Sequence, residues 1–457
     1  MTTLAIASRW LPAALLVVLT GSVASASMLY VQPGSTGTGT VDRPFGTIRE
    51  ALAMAGAGDE VVLKPGTYTE TLRTIRGGTS TRQRLVIRAE PSGRALLTSA
   101  AGTVLRVSHP FVTVRGLVID GAYGPFDTVV VDSAASSFVL QRSEVRRSSR
   151  DCIDMRAPAN VLVDGALIHH CLNAANGRTD AHGIVAGSVR NLTIRATRIH
   201  TFSGDAFQLD PGRTAPGWDD VTIERCQFWL EPLAAPENGF AAGAVPGENA
   251  VDTKTLATAA RATIRIRQTE AWGFRGGLIT NMAAFNIKEQ VNAIFDRVTV
   301  SRSEIAFRLR GPGSNGGAWV RVQNAVVYDV TSGVRYEDDI ERAEIWNSTF
   351  GRDVDRVFRA ASSTAAGLDV RNVLFIGATR PSEMAGASNM NVTTTVFVSA
   401  ASHDYRLLAG SVPVNAGVAL AAVTTDRDGV ARPAQGYWDV GAYEYVGTPA
   451  PRSSATP

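Results

Sequence analysis

"NVLVDGALIHHC" (Asn160–Cys171), "NLTIRATRIHTF" (Asn191–Phe202) and "DDVTIERCQFWL" (Asp219–Leu230) are three versions of one pattern. In each, apolar and polar residues alternate, as they do in a strand that buries one side. Gly, Asn, Asp and Ser stand where the chain must turn. A second, shorter segment recurs as "CIDMR" from Cys152, "GIVAG" from Gly183, "AFQLD" from Ala206 and "AVDTK" from Ala250. It continues as "GLITN" from Gly277, "AFRLR" from Ala306 and "GVRYE" from Gly333. The spacings are 31, 23, 44, 27, 29 and 27 residues. Units of this length that cannot bury their own apolar side are the mark of a solenoid, and the longest spacing fits a turn carrying a loop insertion. The register predicts inward pairs Ile153/Met155, Ile184/Ala186, Phe207/Leu209, Val251/Thr253, Leu278/Thr280, Phe307/Leu309 and Val334/Tyr336, stacked as apolar rows. The expected fold class is all-β, a single-stranded parallel β-helix.

The bulk properties are those of a globular chain of 457 residues, 45% hydrophobic and 19% charged. A formal charge of +3 is too small to argue for a nucleic-acid partner, and no Lys/Arg-rich run or stacking-aromatic motif supports one, so none is expected. Residues 1–26 have the form of a secretory signal: Arg9, an apolar run Leu11–Thr20, and Ala24-Ser25-Ala26 as a small-residue cleavage site. That run is short for a membrane span. The expected product is a secreted or periplasmic monomer with a solenoid over residues 27–446 and a flexible tail over 447–457. Cys152, Cys171 and Cys226 make an odd set with irregular spacing, so at most one bridge can form and buried free thiols are the expected state.

Helical periodicity is confined to "PFGTIREALAMAGAGDEVVLKPGTYTE" (Pro44–Glu70), which predicts an amphipathic helix around Thr47–Ala57, a Gly turn and a first strand. A helix laid over the open end of a solenoid hides its core and blunts its unpaired edge. This opening resembles that of right-handed parallel β-helix proteins of the pectate-lyase-like superfamily. "DRDGVARPAQGYWDVGAYEY" (Asp426–Tyr445) is similar to a C-terminal segment common among their secreted members. The resemblance implies the fold, with an N-terminal capping helix, and an acidic polysaccharide as partner. It does not imply one activity, because the fold hosts lyases, hydrolases, epimerases and non-catalytic surface proteins.

The register places two outward columns beside the apolar rows. One runs Asp154, Val185, Gln208, Asp252, Ile279, Arg308, Arg335; the other runs Arg156, Gly187, Asp210, Lys254, Asn281, Arg310, Glu337. Lys254 stands out, since Lys64, Lys254 and Lys288 are the chain's only lysines. An amine can accept a proton where a guanidinium cannot. "GENAVDTK" (Gly247–Lys254) resembles the acid-rich strand and Lys base of calcium-dependent polysaccharide lyases of this fold. By that resemblance Lys254, Arg308 and Arg310 are the expected catalytic groups. Asp205, Asp210, Glu248 and Asp252 are expected to bind Ca²⁺, which takes six to eight oxygen ligands. Asp154, Arg156, Gln208, Asn281 and Arg335 would then contact the sugar chain. The competing readings are an inverting hydrolase built on two carboxyls, a uronate epimerase suggested by "QLDPGR" (Gln208–Arg213), and a non-catalytic carbohydrate-binding envelope protein. His182 is expected to be a turn or packing residue, and Lys288 to pair with a neighbouring acid.

Overall fold

The computed structural model describes residues 26–447 apart from 175–179, 214–215, 257–259, 311–316, 338–339, 362–366 and 387. The expected leader and tail therefore lie, except for Ala26 and Gly447, outside the described residues. The first quoted stretch forms strands Ala159–Asp164 and Leu167–Cys171, and Ile184–Ala186 completes one turn. The next turn is Arg190–Arg195, Arg198–Phe202 and Phe207–Leu209, each strand parallel to its counterpart. Repetition gives a parallel β-solenoid of about 11 turns. The first face is a 13-stranded sheet. The second and third faces are joined in one 22-stranded sheet, because Thr299–Arg310 and Val326–Glu337 run round the corner between them.

The corner between the first and second faces shows how the sequence specifies each turn. One residue sits in the left-handed region: Gly165 (φ 64°), Ala196 (φ 48°), Arg225 (φ 54°) and Gln268 (φ 48°) in successive turns. Non-glycine residues there cost roughly 1–2 kcal/mol each. A buried small residue follows each one: Ala166, Thr197, Cys226 and Thr269. The Thr197 hydroxyl accepts from the Ala166 N–H at 3.3 Å and donates to the Arg195 carbonyl at 2.9 Å. Thr269 repeats the motif with the Cys226 N–H at 3.3 Å and the Arg267 carbonyl at 2.9 Å. Bonding from rung to rung offsets the backbone strain.

Six of the seven predicted inward pairs are buried in the main core. The exception is Leu278/Thr280: Leu278 is 40% exposed, and the strand of that turn is Ala283–Ile287 instead. Val251 pairs with Phe285, and Phe285 with Phe307. The average period misplaced this strand because an excursion before it lengthens one spacing and shortens the next. The stronger local signal is aromatic: Phe285 packs on Phe295 at 4.9 Å and on Phe307 at 5.6 Å between ring centroids. Ile279 and Asn281 therefore leave the outward columns, and Asn286 and Lys288 take their places.

The helix spans Ile48–Met54, shorter than expected, and a capping box between Thr47 and Glu50 starts it. Its Ile48, Ala51 and Leu52 are buried in the main core. The expectation of free thiols is corrected for two of the three cysteines: Cys152 and Cys171 form a disulfide across a turn corner, with Cα atoms 5.6 Å apart. Cys226 is a buried free thiol. Sequence spacing could not reveal the pair, since sharing a corner depends on the register of two turns. Near the C-terminus, residues 426–445 clamp back onto the solenoid. Arg427 donates to the Val298 carbonyl at 2.8 Å, and the Ala442 N–H donates to Thr349 at 3.0 Å. Within the clamp the fully buried Arg432 pairs with Glu444 at 2.6 Å.

Candidate active site on the third face

Two outward columns run along the third face parallel to the solenoid axis. The first is Asp154, Val185, Gln208, Asp252, Asn286, Arg308 and Arg335. The second, two residues further along each strand, is Arg156, Gly187, Asp210, Lys254, Lys288, Arg310 and Glu337. Rungs about 4.8 Å apart bring side chains on adjacent turns into contact. Lys254 accordingly lies 3.6 Å from Asp210 and donates to Gln208 Oε1 at 3.2 Å. Its carbonyl accepts from the Trp218 indole at 2.7 Å, which fixes the backbone beneath the amine.

One rung on, Lys288 pairs with Asp252 at 3.1 Å, as expected of a lysine with an acidic neighbour. Asn286 donates to the same Asp252 oxygen at 2.8 Å, and its own Oδ1 is buried without a partner among the described residues. Burial and the nearby Asp205 charge push the Asp252 carboxyl upward, against the pull of Lys288 and Lys254. A third cluster follows: Arg308, Arg335 and Arg310 surround Glu337 at 2.6, 3.5 and 3.9 Å. Burial alone would raise Glu337, but the Arg308 hydrogen bond and the three guanidinium charges hold it below the usual carboxylate range. Asn281, displaced from the column, still reaches the site by accepting a hydrogen bond from Arg335. At the other end Arg156 bridges Asp154 at 3.8 Å and Asp132 at 3.7 Å.

Asp205 lies at the corner that leads into this face. Its Oδ1 accepts from the Asn249 backbone at 3.1 Å and side chain at 2.9 Å, and its Oδ2 from Gln208 at 2.8 Å. Buried His182 stands between Asp151 at 2.8 Å and Asp205 at 3.7 Å. Burial opposes its charge, but the Asp151 bond and the two carboxylates raise its pKa overall. Gly204 is required beside it, because a Cβ there would come within 2.8 Å of the imidazole. His182 is thus a corner-packing residue, as expected. Glu248, half-buried near Asp205, is raised to about 7 by burial and by the Asp205, Asp180 and Asp252 charges.

The four carboxylates assigned to Ca²⁺ do not fit the ion as arranged. Asp205 and Asp252 spend oxygens on Asn249, Gln208, Asn286 and Lys288, and Asp210 faces Lys254. Among the described residues no three His, Cys, Asp or Glu side chains are grouped to hold a metal. The site residues missed from sequence are Asn286 and Lys288. The alternation in "AAFNIK" (Ala283–Lys288), with Phe285 and Ile287 inward, is the signal that would have found them.

No family model matches this chain, and no curated protein sequence matches it. Solved structures do. A pectate lyase, Pel9A, aligns with a TM-score of 0.50 and 16% identity over 93% of this chain and 97% of its own. A rhamnogalacturonan lyase aligns with a TM-score of 0.56 and 14% identity over 82% of this chain and 91% of its own. At such identities the likeness is one of fold. The chain shares the parallel β-helix fold of these two structures. Among the described residues no helix is long and apolar enough to cross a membrane.

Proposed function

We propose that the third face is the catalytic face of an exported polysaccharide lyase, which cleaves a uronate-containing polymer by β-elimination. The observation that carries this reading is the run of Lys254, Lys288 and the Arg308/Arg310 pair on three consecutive rungs, with Gln208 and Asp252 beside it. In elimination a base takes the C5 proton, the electron pair forms the C4–C5 double bond, and the C4–O bond to the leaving sugar breaks. Lys254 is the base in this reading. Arg308 and Arg310 neutralise the substrate carboxylate, where negative charge accumulates as the proton leaves. Asp154, Arg156, Gln208 and Arg335, with Asn281 behind it, contact the polymer along the face. No step is assigned to Ca²⁺; addition of millimolar Ca²⁺ should leave the melting temperature unchanged, and a rise lost in Asp252→Asn would restore the metal. The two fold neighbours named above are lyases, which makes elimination the reaction class to try first. The Cys152–Cys171 bridge supports an oxidising, exported location.

One observation favours a second reading. Glu248, raised to about 7, is suited to proton donation in a hydrolase, with Asp252 or Asp205 as the second carboxyl. Incubation with pectate, alginate, glycosaminoglycans and bacterial exopolysaccharides separates the two. Elimination yields an ultraviolet-absorbing unsaturated uronate with each cleavage. Hydrolysis yields new reducing ends without that absorbance and would overturn the lyase reading.

A further inference from the structure

The second face carries a ladder of a different kind. His169, His200, Trp229 and Trp272 occupy one outward column on four consecutive turns. Their rings stack at 5.0, 4.3 and 5.0 Å between centroids, with interplanar angles of 5°, 18° and 6°. The next rung is Ser301, and the one after it is Tyr328, on which His403 lies flat at 3.8 Å and 13°. The column thus has rings on both sides of one rung that has none. A cavity of about 400 Å³ opens there, bordered by Trp272, Ser301, Tyr328 and His403, with Glu270, Arg302 and Asp329 among the charged groups at its rim.

We propose that this vacant rung is a glycan-binding slot that sandwiches one pyranose ring between Trp272 and Tyr328. Two rung spacings set the walls about 9.6 Å apart. A flat aromatic ligand, needing about 3.5–4.0 Å of contact on each side, is too thin to touch both walls. A chair-form sugar is thicker and presents C–H groups to both ring faces. Its equatorial hydroxyls would then point to the rim, where charged donors and acceptors fix orientation in a mostly apolar pocket. Asp329 is held by Arg275 at 2.9 Å, so this acceptor is preset. Arg302 holds its guanidinium over the Trp272 ring, 5.9 Å from the centroid, and pairs with no carboxylate among the described residues. A bound sugar would take its place over the ring and meet the displaced guanidinium through its oxygens. The slot lies on a different face from Lys254 and holds sugar without cleaving it, so it stands whether or not the lyase reading does.

The test is a glycan array of hexose, uronate and N-acetylhexosamine oligomers, probed with wild type, Ser301→Phe, Arg302→Ala and Lys254→Met. Ser301→Phe supplies the missing rung and closes the slot; Arg302→Ala keeps the slot but removes a rim donor, and serves if the first variant melts early. The expected result is at least one glycan bound by wild type and Lys254→Met, weakened tenfold or more by Ser301→Phe and several-fold by Arg302→Ala. Equal binding by wild type and both second-face variants overturns the slot. So does binding lost only in Lys254→Met, which would assign all recognition to the third face, and so does an array with no bound glycan.

Discussion

The second and third faces are built on the same rungs and fill them by opposite rules. Rings on neighbouring rungs attract one another, so the second face can repeat them: His169, His200, Trp229, Trp272. Charges on neighbouring rungs must alternate in sign, and the third face pairs Asp210 with Lys254, Asp252 with Lys288, and Arg308 with Glu337. Each ladder departs from its rule. The rings stop at Ser301, and the charges set like signs on consecutive rungs: Lys254, Lys288 and Arg310 in one column, Arg308 and Arg335 in the other. A repeat that is otherwise self-consistent points to function where it departs from itself.

The largest expected effect tests the break in the charge ladder. Lys254→Arg keeps the cation and its partner Asp210 but cannot accept a proton. Turnover on the polymer identified by the screen should fall about 10²- to 10⁴-fold, with the melting temperature nearly unchanged. Wild-type turnover of this variant would make the third face a structural ladder like the second. Next in size, the Cys152→Ser/Cys171→Ser double variant should lose about 2–4 kcal/mol in denaturant unfolding. A loss well under 1 kcal/mol would mean that the corner is held by stacking alone.

Trp229→Ala should cost about 2–3 kcal/mol by removing the middle of the ring ladder, whereas Trp229→Phe should cost under about 1.5 kcal/mol. Equal losses would show that area rather than stacking matters there. The smallest effect is a pH dependence that separates the two faces. Burial and neighbouring cationic groups lower His169 to about 4 and His200 to about 3, so both rings stack in the neutral form. A His lowered on folding contributes stability above its unfolded pKa, near 6.5, and that contribution fades as pH falls towards the folded value. Unfolding free energy should therefore drop by about 1–2 kcal/mol between pH 6.5 and 5. His200→Phe should roughly halve that drop, since His169 remains. On the third face Glu248 is raised to about 7, so its contribution is complete below the unfolded carboxylate pKa and is lost as pH rises through 7. Glu248→Gln should remove a decline of about 1–3 kcal/mol that runs between about pH 4.5 and 7; an unchanged profile would return Glu248 to an ordinary carboxylate.

The sequence disclosed what repeats and concealed what interrupts. Alternation and period located the inward rows and brought Asp210 beside Lys254 without any coordinates. They failed at Gly277, because period is an average and a loop excursion moves one strand without disturbing the rest. Lys288 was lost to that slip, although its pairing with an acid was anticipated. The ring ladder lay in the three stretches quoted first, as His169, His200 and Trp229. It shows only after the third stretch is shifted by one residue, a register that backbone pairing decides. The Glu337 hub was legible in the predicted columns, which set Arg308 and Arg310 beside Arg335 and Glu337; the disulfide depends on which turns share a corner, and composition carries no trace of it.

The C-terminal clamp has a consequence in time. Each rung rests only on its neighbours, so turns can close in order as the chain emerges. Arg427 and Ala442, however, bond to Val298 and Thr349, and these partners are made some hundred residues earlier. The far rungs must wait for the last-made segment before they can be locked. As the chain emerges, that end therefore stays open while the first turns zip shut. In a chain ending at Thr425, protease should cut from Val298 onward and spare the turns before Trp272; uniform protection would show that the far rungs close unaided.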